Sequence, residues 1–182
     1  MSDYILTYSK TRFYPLQPIK EDIKIEDIVH SLSQMARANG HFRHFYSVAQ
    51  HSINCFLEAK NRSYSKRVQL ACLLHDASEA YISDITRPVK RYMIEYLVVE
   101  EKLQKLIYER FGLENLTEQE LKQINEVDDA LLHYEFETLM GVGIYDEIPF
   151  VSTNHDFMQR DMLLVKKQFF NLIIGTMTQL QL

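Results

Sequence analysis

Along most of this chain apolar residues return at steps of three and four, a period that helices satisfy and strands do not. Ile25, Ile28, Leu32 and Met35 begin the pattern, and Gly40 is placed to end that first helix. Ser47 and Gln50 have the spacing of a capping box, which predicts a helix from there through about Lys60. Ser63 or Ser65 can cap the next one, which carries Val68, Ala71, Cys72 and Leu74 into His75. Pro88 suits the first turn of a new helix better than the interior of an old one. An amphipathic run from about Tyr92 stops at Gly112. Thr117 and Glu120 form a second capping box, opening a helix through about Met140 that Gly141 and Gly143 break. Thr153 or Asn154 would start a last helix with Met158, Met162, Val165, Phe169 and Leu172. Residues 1–20, rich in aromatics and holding Pro15 and Pro18, read as extended, with room for a small hairpin. The expectation is one all-α domain over residues 1–182, a bundle of about six or seven helices.

Composition agrees with a helical core. Five glycines and four prolines in 182 residues are few turn-formers, and 46% hydrophobic content supplies apolar surface to bury. A formal charge of −5 argues against a nucleic-acid polymer as partner, since such binders carry a basic surplus. Cys55 and Cys72 form no CxxC pair and sit in apolar helical contexts, so they are expected as buried free thiols of a reducing compartment. The first residues lack the pattern of a secretory signal, and no run approaches the roughly 20 apolar residues of a membrane span. A soluble, cytoplasmic protein is expected.

Against this background the stretch LLHDASEAYISD, Leu73 to Asp84, is out of place. It opens as a buried helix and then sets His75, Asp76, Glu79 and Asp84 within ten positions. Read as a continuous helix, it projects His75, Asp76 and Glu79 to one side. Buried carboxylates cost several kcal/mol each unless paired or bound to a cation, and no Lys or Arg lies between Gln69 and Thr86. A divalent metal would supply the charge, and imidazole with carboxylate suits Mn, Co, Fe, Zn or Ni. The alternative is a helix reaching the surface at His75 with its acids solvated. His51, in the first turn of the preceding helix, and the pair Asp128–Asp129 in EVDDALLHYEFE are further polar residues on apolar elements.

The series His51, His75-Asp76, then an aspartate on a later helix resembles the HD-domain metal-dependent phosphohydrolases. The stretches ARANGHFRHFYSVAQHS and LLHDASEAYISDITRPVK are similar to those of the bacterial 5′-deoxynucleotidases and their prophage-encoded relatives, from about Ile25 to Glu135. The resemblance implies a helical metal-binding core over about 25–140 and a single divalent metal, Mn, Co, Fe, Zn or Ni, with Mg possible. Its ligands would be His51, His75, Asp76 and Asp128, with Asp129 as the alternative fourth ligand. It further implies Arg37 on the substrate phosphate, Glu79 and Asp84 as non-ligand catalytic acids, and a homodimer. The expected activity is removal of the 5′-phosphate from (deoxy)nucleoside 5′-monophosphates. In the best-known enzymes of this group a tryptophan follows the arginine. Here Ala38 does, and the chain has no tryptophan, so their sugar preference is not carried over.

Three other readings remain beside it. Alarmone hydrolases typically read HDxxED, whereas Ala80 follows Glu79. Two-metal phosphodiesterases need extra histidines, and none lies between Ala77 and Val127. A non-catalytic nucleotide-binding or phage accessory protein would show a lost ligand or acid, and none is lost. His41, Arg43 and His44 are candidates for positive charge at the pocket mouth, with Arg87 and Lys90 behind them.

Overall fold

The computed structural model describes residues 3–182. Its all-α character is as expected: six longer helices, two single-turn helices and one small hairpin make up the regular structure, apart from two short 3-10 turns. The hairpin pairs β1 (Ile5–Leu6) antiparallel to β2 (Arg12–Phe13). The helices are α1 (Ile25–Gln34), α2 (Val48–Asn61), α3 (Lys66–Leu74), α4 (Glu79–Ile82), α5 (Arg87–Lys90), α6 (Ile94–Arg110), α7 (Glu118–Met140) and α8 (Met162–Leu180). Both capping boxes form, at Ser47 with Gln50 and at Thr117 with Glu120, and Ser65 rather than Ser63 caps α3. Pro88 lies in the first turn of α5. One buried apolar cluster draws on every longer helix, and Leu70 through Leu74 are entirely enclosed in it.

Three local readings are corrected. The first helix stops at Gln34, not Gly40. The chain there turns back: Ala36 bridges Ser47, Arg37 donates its backbone N–H to Tyr46 at 2.9 Å, and Gly40 ends a separate 3-10 turn. That turn puts Ala38 and Asn39 at φ of 51° and 50°, a left-handed conformation unusual outside glycine. The HDASE stretch is not one continuous helix, because α3 ends at Leu74, residues 75–78 form a turn, and α4 starts at Glu79. The last helix starts at Met162, where the Asp161 carboxylate accepts from the N–H groups of Leu163 and Leu164. Thr153 and Asn154 lie in irregular chain before it.

That irregular chain, residues 141–161, is held by a polar stripe on α2. Gln50, Asn54 and Glu58 recur every four residues and are all buried. Gln50 donates to Met158 O at 3.0 Å, and Asn54 donates to Asp156 O at 3.0 Å. Glu58 accepts from Ser152 N at 2.7 Å, Ser152 Oγ at 3.0 Å, Arg62 Nε at 2.6 Å and His155 Nε2 at 2.9 Å. Burial pushes the Glu58 carboxyl up, but these donors outweigh it and hold the group below the usual range. A depressed folded-state pKa gives stability that is fully present above the unfolded value, ~4.3, and is lost as pH falls through the folded value. Glu58→Gln is therefore expected to lower the melting temperature at pH 7, with a deficit that shrinks below about pH 4. Thermal unfolding of both proteins across pH checks it.

The start of the same segment rests on His133. A Cβ on Gly143 would lie 2.5 Å from His133 Cε1 and 2.8 Å from Nε2, and that ring is itself buried. Gly143→Ala should cost about 1–3 kcal/mol, the usual size for overpacking, measured by denaturant unfolding.

Candidate metal centre and its cavity

The Ser47 cap sets His51 in the first turn of α2, fully buried. The end of α3 presents His75 and Asp76, and α7 brings Asp128 from the other side. Their side chains converge. His51 Nε2 lies 3.2 Å from His75 Nε2, 3.0 Å from Asp128 Oδ1 and 3.8 Å from Asp76 Oδ2. His75 Nε2 is 3.3 Å from Asp76 Oδ2 and 3.7 Å from Asp128 Oδ1.

Both imidazoles are oriented from behind. His51 Nδ1 donates to Glu135 Oε1 at 2.6 Å, and His75 Nδ1 donates to the Cys72 carbonyl at 2.9 Å. Each Nε2 therefore faces the cluster with the tautomer fixed, an arrangement common to metal-ligating histidines. Burial and the Arg37 guanidinium oppose charge on His51, and Glu135 and Asp128 favour it. Asp128 and Asp76 lie below the carboxylate range: burial works against ionisation, and the histidines, with Arg37 at Asp76, overcome it.

His51, Cys55 and His75 form a group that could hold a metal ion, with donor atoms all within 4.8 Å of one another. Cys55 Sγ is 3.4 Å from His51 Nε2 and 3.9 Å from Nδ1, so it lies beside the ring, not beyond Nε2. Burial pushes that thiol up to about 11, leaving it neutral near pH 7. The ionised oxygens of Asp76 and Asp128 are the better partners for a cation. Bonds of ~2.0–2.2 Å from nitrogen and oxygen put neighbouring ligands roughly 3–3.6 Å apart, close to the spacings here, so the donor set fits such an ion. Cys55 and Cys72 are both free and buried, as expected.

Asp128 and Asp129 separate cleanly. Asp128 Oδ1 faces His51, whereas Asp129, half exposed, accepts from Arg87 Nη1 at 2.6 Å and Tyr145 Oη at 3.1 Å. Arg37 is buried within the cluster. It donates from Nη1 to Asp76 Oδ2 at 3.1 Å, from Nε to Glu135 Oε2 at 3.3 Å and from Nη2 to Asp128 Oδ1 at 3.4 Å. Nη2 is also 3.1 Å from His51 Nε2.

Arg37, Asp76 and Asp128 of the cluster reach a cavity of about 610 Å³. Arg37, Asp76, Glu79, Asp84 and Asp128 line it, as do the cationic side chains of Arg87, Lys90 and Arg91. Leu132 and Phe136, four and eight residues beyond Asp128 on α7, form an apolar wall with Ile144 and Tyr145. Glu79 is buried, and its Oε2 has no hydrogen-bond partner among the described residues. Burial, Asp76 and Asp84 together raise its pKa well above the carboxylate range. His41, Arg43 and His44 do not line the cavity, and His44 instead hydrogen-bonds Phe157 O at 2.9 Å.

The sequence reading gave no site role to Glu135 or Cys55 and only a minor one to Arg87. Glu135, fully buried, orients His51, holds Arg37 and accepts from Tyr46 Oη at 3.0 Å. Its signal was its place seven residues after Asp128, two turns along the same face. Cys55 stands four after His51. Arg87, ranked low, grips Asp128 Oδ2 at 2.6 Å while holding Asp129.

Fold and site together define an all-helical protein with a buried histidine–carboxylate centre under an open cavity. No family model matches the chain. It is 42% identical over 110 residues to the uncharacterized protein YfdR of Escherichia coli, a match covering 60% of this chain and 59% of that protein. It is 36% identical over 133 residues to an uncharacterized protein of Rhodobacter capsulatus, covering 69% of this chain and 67% of that one. The chain belongs to the family of that Rhodobacter protein. Among the described residues no helix is long and apolar enough to cross a membrane.

Proposed function

We propose that the chain is a cytoplasmic, metal-dependent phosphohydrolase that removes the 5′-phosphate from (deoxy)nucleoside 5′-monophosphates, with His51, His75, Asp76 and Asp128 holding one divalent transition ion. The observation that supports this most is that the Nε2 atoms of His51 and His75 lie within 3.0–3.8 Å of Asp76 and Asp128, two carboxylates that line a cavity shared with Glu79 and Asp84. When bound, such an ion lowers the pKa of water and screens phosphoryl charge.

The chain's own residues divide the remaining work. Glu135 and the Cys72 carbonyl fix the two imidazoles. Arg37, buried in the cluster and lining the cavity, would offer its guanidinium to equatorial phosphate oxygens. Burial beside Asp76 and Asp84 raises the Glu79 carboxyl well above the carboxylate range, which suits it to protonate the departing 5′-oxygen. Asp84, half-buried on the same cavity, receives or orients the attacking water. A homodimer is part of the proposal by resemblance alone.

The deciding experiment is phosphate release by apo protein reloaded with Mn, Co, Mg or Zn, across ribo- and deoxyribonucleoside 5′-monophosphates, alarmones and cyclic nucleotides. Release from 5′-monophosphates is expected. Silence across the whole panel would replace the enzyme with a nucleotide-binding protein.

A further inference from the structure

From the apolar wall of the cavity we infer that Tyr145 is the nucleobase-facing residue, and that its ring determines how strongly the site prefers a nucleotide to a bare sugar phosphate. This rests on the phosphohydrolase reading above. The cavity lining has two kinds of surface: charged groups of α4, α5 and the cluster, and the side chains of Leu132, Phe136, Ile144 and Tyr145. A ligand touching both needs an anionic head and a flat apolar body.

Tyr145 is fixed before any ligand arrives. Its ring stacks on His133 with centroids 5.9 Å apart and planes within 9°. Its backbone N–H donates to His133 Nδ1 at 3.2 Å. Its hydroxyl donates to Asp129 Oδ1 at 3.1 Å and accepts from Arg87 Nη1 at 3.2 Å. The glycine at 143 lets the chain come close enough to His133 for this seating. Yet the residue remains 38% exposed and lines the cavity. An aromatic held rigid while part of it stays open is preorganised for stacking, because its rotamer freedom is already lost before binding. Base–aromatic stacking changes binding by roughly 5- to 150-fold, from ~1–3 kcal/mol per base.

The test compares AMP with ribose 5-phosphate, which shares the phosphate and sugar but has no base. In Tyr145→Ala, KM for AMP should rise, and the AMP to ribose 5-phosphate ratio of kcat/KM should fall about tenfold, within the stacking range. Tyr145→Phe, which loses the same hydroxyl contacts but keeps the ring, should retain the wild-type ratio. Equal losses on both substrates, or Tyr145→Phe behaving as Tyr145→Ala, would overturn the base-wall role and leave the phosphohydrolase standing. If the wild type hydrolyses neither substrate, the enzymatic reading falls, and equilibrium dialysis of labelled AMP decides the wall independently. Weaker binding in Tyr145→Ala with normal binding in Tyr145→Phe supports it, and equal binding by all three proteins overturns it.

Discussion

Asp128→Asn should abolish metal binding while Asp129→Asn leaves it intact. The amide keeps the volume of the carboxylate but removes the charge that sits 3.0 Å from His51 Nε2. Outer-shell partners of metal ligands are worth 10–100-fold in affinity, so losing a ligand should exceed roughly 100-fold. The neighbouring aspartate is a strict control, because it is adjacent in sequence and shares Arg87, yet points away from the histidines. Metal content after reloading and dialysis reads the result directly. Were Asp129→Asn the variant that lost the ion, the register assigned to α7 would be wrong.

That contrast also shows what could be read from the residues. Periodicity and capping boxes located the longer helices because those signals are local: Ser47 with Gln50 and Thr117 with Glu120 depend on residues three apart. The ends that failed depended on distant contacts. α1 stops early because the chain turns back there, with Ala36 bridging Ser47 and the Arg37 N–H bonding Tyr46, and α8 starts late because α2 captures residues 152–158 through buried polar groups. Spacing placed His75 and Asp76 together, but HDASE read as one helix hid the turn that carries those two side chains while Glu79 heads a separate helix. Glu135 was invisible for a related reason. A buried glutamate needs its partners named before it can be given a task, and His51, Arg37 and Tyr46 come from the other half of the chain.

Glu79→Gln should bind metal normally, lose turnover and gain stability. Glutamine matches the shape of the protonated acid but cannot give up a proton, so a loss of about 10²–10⁴ in kcat is expected for a general acid. Stability should move the other way. A carboxyl whose folded-state pKa is raised costs the fold nothing below its unfolded value, ~4.3, and costs progressively more as pH rises above it. At pH 7 the wild-type apo protein bears that penalty and the amide does not, so the variant should melt higher, with the difference vanishing near pH 4. A residue kept for structure would lose stability and activity together when replaced. Metal content, kcat and apo-protein melting at two pH values therefore separate the roles: a variant that is metal-loaded, more stable and inactive identifies Glu79 as a group retained for chemistry at the expense of the fold. A destabilised variant with turnover in proportion to its folded fraction would return Glu79 to the core.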